Sequence, residues 1–229
     1  TVGSDKIKTG LCIVAKRADT NSIWPILNHP RGKYYDREHS KNKDLLLWKV
    51  VRASTAAPTY FAPQLMDVKE NQAAAFIDGG LSMANNPALT LLMVATLKGF
   101  PFHWKMGADN LFLVSVGTGY PEFKKQVGEI DDSTILTWAA SIPDMLMQDA
   151  SWQNRLLLQW LSRSPTAEVM DSEIGDMNDD VMFDTPLLSY LRYNFAITKD
   201  NLNALGLKKI FTDKDVLSIA DMAKAKNKE

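Results

Sequence analysis

Short apolar runs alternate with polar, glycine- and proline-containing stretches over the first 120 positions, and each run predicts one element. Residues 7–16 (Ile-Lys-Thr-Gly-Leu-Cys-Ile-Val-Ala-Lys) read as a buried strand, because the run is short, apolar and holds β-branched side chains. Residues 22–27 continue the sheet, and residues 28–42, with Pro30, Gly32 and many charges, form a loop. A helix is expected over 43–54, with Leu46, Val50 and Ala53 on one face and Ala56-Ala57-Pro58 ending it. Residues 74–77 make a short strand that stops at Asp78-Gly79-Gly80. The next helix carries its own signals: Asn86 as N-cap, Pro87 at the first helical position, and Gly99 as the stop. Its body, Ala88 to Lys98, is apolar nearly all round and reads as buried. Residues 110–116 are another buried strand, closed by Gly117-Thr118-Gly119.

After Tyr120 the pattern changes. Residues 133–163 are expected to be largely helical, interrupted at Pro143, and residues 164–184 to form an acidic loop. Residues 185–195 and 213–227 read as further helices, with Asp213 a candidate N-cap. The alternation of strands and helices up to that point favours an α/β layered fold. A soft boundary near residue 125 separates an α/β part, 1–125, from a helical extension, 126–229, that would serve as a lid or a packing subdomain. No internal repeat occurs.

Composition narrows the function classes. The 229 residues are 45% hydrophobic and 23% charged, values of a globular protein with a real core. With 26 basic and 27 acidic residues the net charge is -1, which argues against non-specific nucleic-acid binding and hints at no electrostatic membrane anchor. The single cysteine, Cys12, excludes an intrachain disulfide and reads as a small buried hydrophobe. No stretch is long enough to span a membrane and no signal peptide opens the chain, so a cytoplasmic protein, with peripheral membrane contact open, is expected. The chain opens on Thr1 and runs into a core strand, which leads us to expect an upstream portion.

The chemistry concentrates between Arg52 and Pro87. An aspartate at the end of a buried strand, followed by two glycines, sits on a rigid element with open surroundings, as a general base or an orienting group requires. Asp-Gly is equally a common turn pair, and on the dipeptide alone a turn is the commoner reading. The flanks alter that balance. Ser54-Thr55-Ala56-Ala57-Pro58-Thr59-Tyr60-Phe61, then Asp78-Gly79-Gly80, then Asn86-Pro87, then Ser115-Val116-Gly117-Thr118-Gly119 follow one another in order. This series closely resembles the patatin-like phospholipase family over about residues 7–120; residues 125–229 resemble nothing familiar.

The resemblance implies a patatin-like three-layer sandwich, incomplete on its N-terminal side, with a mainly helical C-terminal extension. It also implies a lipid acyl hydrolase of phospholipase A type that uses a Ser–Asp dyad without histidine. Asp78 would be the catalytic base of that dyad, Gly79 and Gly80 would keep the space beside it open, and Asn86 would cap the neighbouring helix. The substrate would be a phospholipid or another acyl-ester lipid, with transient contact to a membrane surface left open, and no cofactor or metal would be needed. The implied serine elbow, Gly-x-Ser-x-Gly, and the glycine-rich oxyanion loop are both missing from these residues. The implied enzyme is therefore a carboxylic ester hydrolase only when joined to an N-terminal half carrying the nucleophile, and inactive as this chain alone. The alternative is a catalytically inactive patatin-like lipid-binding or scaffolding protein.

Other signals are weaker. Ser54 reads as helical and Ser115 as part of a strand, so neither has the exposed elbow a nucleophile needs. His29, His39 and His103 occupy no triad-like setting. A calcium loop starting at Asp176 would need Gly at 181 and Glu at 187, where the chain has Val181 and Leu187. Gly117-Thr118-Gly119 lacks the lysine of a phosphate cradle. The Trp-, Met- and Leu-rich segment 134–161 reads first as core, and second as a lid or lipid-facing surface.

Overall fold

The computed structural model describes residues 1–37, 40–58, 60–69, 72–121, 127–131 and 134–220. His39 and Thr59, and the part of the last expected helix beyond residue 220, lie outside the described residues.

Strands β1 (Cys12–Arg17) and β2 (Ser22–Leu27) form an antiparallel hairpin. Its turn places Asn21 at a φ of 54°, a left-handed position that asparagine tolerates. β1 starts later than its apolar run, because the Asn28 side chain takes over the pairing before it. Asn28 Oδ1 accepts from the Leu11 amide at 2.6 Å, and Asn28 Nδ2 donates to the Thr9 carbonyl at 2.9 Å. Helix α1 (Leu47–Ser54) follows a 3-10 turn at Asn42–Asp44, and strands β3 (Gln64–Lys69) and β4 (Gln72–Asp78) complete an antiparallel sheet ordered β2-β1-β4-β3. Val50 and Ala53 of α1 pack on Ala15, Met66, Ala74 and Phe76 to form the first core.

Helix α2 (Ala88–Thr96) begins one residue later than its signals suggest; Asn86 still contributes, its Oδ1 accepting from the Ala88 amide at 3.2 Å. The chain leaves this helix at Leu97, so Gly99 lies two residues past the end. Strand β5 (Phe112–Val116) buries Leu113 and Ser115 but exposes Phe112, Val114 and Val116, so it is buried on one face only. Next come β6 (Tyr120–Pro121), α3 (Val127–Asp131), α4 (Ile135–Leu161), β7 (Ser162–Arg163), β8 (Leu188–Tyr193), β9 (Ala196–Ile197), α5 (Lys199–Ala204) and α6 (Asp213–Ala220). β5, β8 and β7 form a parallel sheet in that order, and β6 pairs with β9 in another parallel pair. A second core gathers Leu92, Leu111, Leu113, Leu158, Leu188 and Tyr190.

The architecture is thus mixed α/β, with an N-terminal sheet region and a largely helical C-terminal portion. Two expectations about the second half need correction. Residues 188–193 are a strand, not a helix, since pairing beside β5 buries Leu188 and Tyr190 in the second core. Helix α4 runs through Pro143 without a break, forgoing the one backbone hydrogen bond that proline cannot donate. The acidic stretch is a loop, held by Gln159, whose Nε2 donates to the carbonyls of Glu168 and Asp176 at 3.0 Å each. Arg155 pairs with Glu168 beside it.

Candidate functional site

Asp78 ends β4 opposite Ala15 of β1, and its amide donates to the Ala56 carbonyl at 3.0 Å. That bond ties the Ala-Ala-Pro turn after α1 directly to the strand end. The half-buried carboxylate turns onto its own chain: Oδ1 accepts from the Gly80 amide at 2.7 Å and caps a 3-10 turn at Gly79–Leu81. The turn function of Asp-Gly is therefore realised here.

Each glycine has a spatial reason. Gly79 is buried with its backbone against Val14, and a methyl group there would strike the Val14 carbonyl. A side chain on Gly80 would approach Asn85 Oδ1 and Asp78 Oδ1 at 3.1 Å each. The Val14 carbonyl also accepts the Ser54 hydroxyl at 2.6 Å, so Ser54 fastens α1 to the sheet.

The chain beyond the turn is anchored to α4. Asn85 Nδ2 donates to Ser151 Oγ at 3.0 Å, and buried Asn154 Nδ2 donates to the Met83 carbonyl at 2.8 Å. Between these elements lies a cleft of about 400 Å³, with Gly80, Leu81 and Met83 on one wall and Ile142, Leu146 and Met147 on the other. Its lining is mainly apolar, which suits an acyl chain better than a charged ligand.

A buried polar group joins the last two sequence elements. Asn86 Oδ1 accepts the Ser115 hydroxyl at 3.1 Å, and Ser115 Oγ accepts from Arg192 Nη1 at 2.7 Å. Tyr190, fully buried, has its phenol pushed above the usual value, chiefly by that burial. Arg192 and Tyr190 escape sequence reasoning because their segment reads as a helix; Asn85 and Asn154 escape it because a single asparagine carries no spacing signal. Cys12 is only half-buried rather than the buried residue expected, and desolvation pushes its thiol up to about 11.

Asp78, Gly79, Gly80 and Asn86 thus lie close along the chain, with Gly80 alone of the four lining the cleft, whereas Ser54 and Ser115 donate their hydroxyls to other acceptors. Among the described residues no serine hydroxyl bonds to Asp78, and no group of three or more His, Cys, Asp or Glu could hold a metal ion. No helix among them is long and apolar enough to cross a membrane.

Comparison with known proteins agrees with this location. Residues 8–92 match the family described as patatin-like phospholipase. A relative named "Probable inactive patatin-like protein 9", from Arabidopsis thaliana, is 35% identical over 81 residues, or 35% of this chain and 21% of the relative. "Patatin-like protein 6" from the same plant is 37% identical over 78 residues, or 33% of this chain and 15% of the relative. The matched stretch thus spans about a fifth or less of these relatives. The expectation of an active ester hydrolase, once the chain is joined to a nucleophile segment, is corrected by the first of them, a similar protein named as probably inactive. Together the motifs, the strand that ends at Asp78 and these matches make residues 8–92 similar to the patatin-like phospholipase family, with no particular catalytic subtype indicated.

Proposed function

We propose that this chain belongs to a catalytically inactive patatin-like protein that binds acyl-ester lipid or serves as a lipid-dependent scaffold. The observation that carries the reading is the Asp78 carboxylate, which is turned onto the Gly80 amide while Gly80 lines an apolar cleft. In this reading Gly80, capped by Asp78, lines the cleft, and an acyl chain lies between Met83 and Leu146. Residues 1–125 form the C-terminal part of a patatin-like three-layer sandwich. Residues 126–229 form the extension whose helix α4 supplies the second wall. The similarity to a relative named as probably inactive supports the reading further.

A water-soluble, non-hydrolysable phospholipid analogue tests it. The analogue should raise the melting temperature, and Leu146→Asp should abolish that shift. Acyl-ester turnover should stay at background, with no serine labelled by a fluorophosphonate. Turnover that Asp78→Asn removes, or a labelled serine, would overturn the proposal.

A further inference from the structure

Helix α1 turns Val50 and Ala53 inward onto the sheet and leaves a different character outside. Trp48 is 62% exposed, and Tyr60 and Phe61, just after the helix, are 57% and 55% exposed. Two cations lie among these rings. Lys49 Nζ is 5.7 Å from the Trp48 ring centre, and the Arg52 guanidinium is 4.8 Å from that of Phe61. Trp48 and Arg52 are one helical turn apart, so Lys49, Trp48, Arg52 and Phe61 make one continuous surface. Among the described residues neither cation pairs with a carboxylate, and the sequence has no acidic residue between Asp44 and Asp67.

The geometry points to this surface as the contact with a bilayer carrying anionic phospholipid, an inference that rests on the lipid-binding reading above. Exposed indole, phenol and phenyl rings settle at the depth of lipid headgroups, where one edge stays wet and the rest is apolar. Lysine and arginine lay their stems along such rings and keep their charges among phosphates. Lys49 and Arg52 are both half-buried, Arg52 with its Nη1 buried and its Nη2 on the Ala62 carbonyl, so it is chiefly the Lys49 ammonium, with no neighbouring carboxylate, that favours an anionic over a neutral surface. Another large apolar surface, on the first half of α4, lacks this complementarity: residues 134–154 include Asp144 and Asp149 and no basic residue.

Vesicle flotation tests the assignment with the full chain. Vesicles of phosphatidylcholine are compared with vesicles in which part of it is replaced by phosphatidylglycerol. The protein should partition onto the anionic vesicles and leave them as salt rises. Lys49→Gln should weaken that binding about fivefold, and Trp48→Ser should weaken it roughly tenfold. Trp48 is exposed and Lys49 half-buried, and circular dichroism with thermal melting verifies the fold of each variant. Lys49→Glu is a second surface variant, with a larger expected loss. Arg52 is left alone because its Nη2 also holds the Ala62 carbonyl at 3.0 Å. Unchanged partition of folded Trp48→Ser, or equal binding to both vesicle types, would overturn the inference. So would a patch variant that abolishes self-association in sedimentation velocity without altering vesicle binding. The soluble phospholipid analogue separates this inference from the parent reading. If the analogue binds and vesicles do not, the patch assignment falls and the cleft reading stands. If vesicle binding depends on Trp48 and the analogue fails to bind, the cleft reading falls and the patch stands.

Discussion

Asn86 accepts the hydroxyl hydrogen of Ser115 at 3.1 Å, joining the start of α2 to the middle of β5 in a region closed to water. Ser115 in turn accepts from Arg192. Ser115→Ala deletes both bonds and leaves buried polar groups short of a partner. The expected loss of unfolding free energy is about 1–3 kcal/mol, read as a lower urea midpoint at unchanged slope.

The two glycines after Asp78 should respond differently to alanine. Gly79 faces a main-chain carbonyl that cannot move without shifting β1, so Gly79→Ala should cost about 1–3 kcal/mol. Gly80 faces side-chain oxygens of Asn85 and Asp78, which can rotate away, so Gly80→Ala should cost less. Paired urea titrations of the two variants check the order.

Asp78 is a capping acceptor, and asparagine can replace it in that task. Asp78→Asn should hold stability to within about 0.5 kcal/mol, whereas Asp78→Ala should lose about 1 kcal/mol. Neither should alter ester turnover, because the reading assigns none. Denaturation curves and a chromogenic ester assay run on the same preparations decide both points.

Asp215 provides a pH response. The Lys209 ammonium at 2.7 Å, then the Thr212 hydroxyl and amide, hold its carboxylate well below the usual range. A carboxylate whose value is depressed in the folded chain stabilises it fully above the unfolded value of about 3.9. That stabilisation fades as pH falls below it toward the folded value. The entry to α6 should therefore loosen in acid. Amide exchange at Asp215 and Val216 should accelerate below about pH 4, and Asp215→Asn should remove that acid dependence.

Local rules account for what is legible in the residues. The β1–β2 hairpin follows from apolar runs around a polar turn, and α2 from Asn86-Pro87 and its apolar body. The end of β4 at Asp78 is visible because two glycines stop the run. Strand β3 is readable in principle, with Met66 and Val68 inward and Leu65, Asp67 and Lys69 outward, but its alternation is short and mixed with charge. β8 is not readable locally: Leu-Ser-Tyr-Leu-Arg-Tyr suits a helix as well as a strand, and a distant partner decides. The same holds for the site, where Asp78 announces itself but the cleft wall comes from α4, remote in sequence.

The parallel pairing of β5 with β8 has a consequence for the order in which the molecule assembles. The first sheet is built of two hairpins whose partners are near neighbours, so its pieces can form as soon as residues 12–27 and 64–78 exist. Phe112, by contrast, pairs with Ser189, and Leu113 with Tyr190. On a translating ribosome the second core must wait, with one row of β5 side chains and the apolar body of α2 unpaired, until residue 193 has left the exit tunnel. Between those two events the apolar side chains that later make the second core have no partner to cover them.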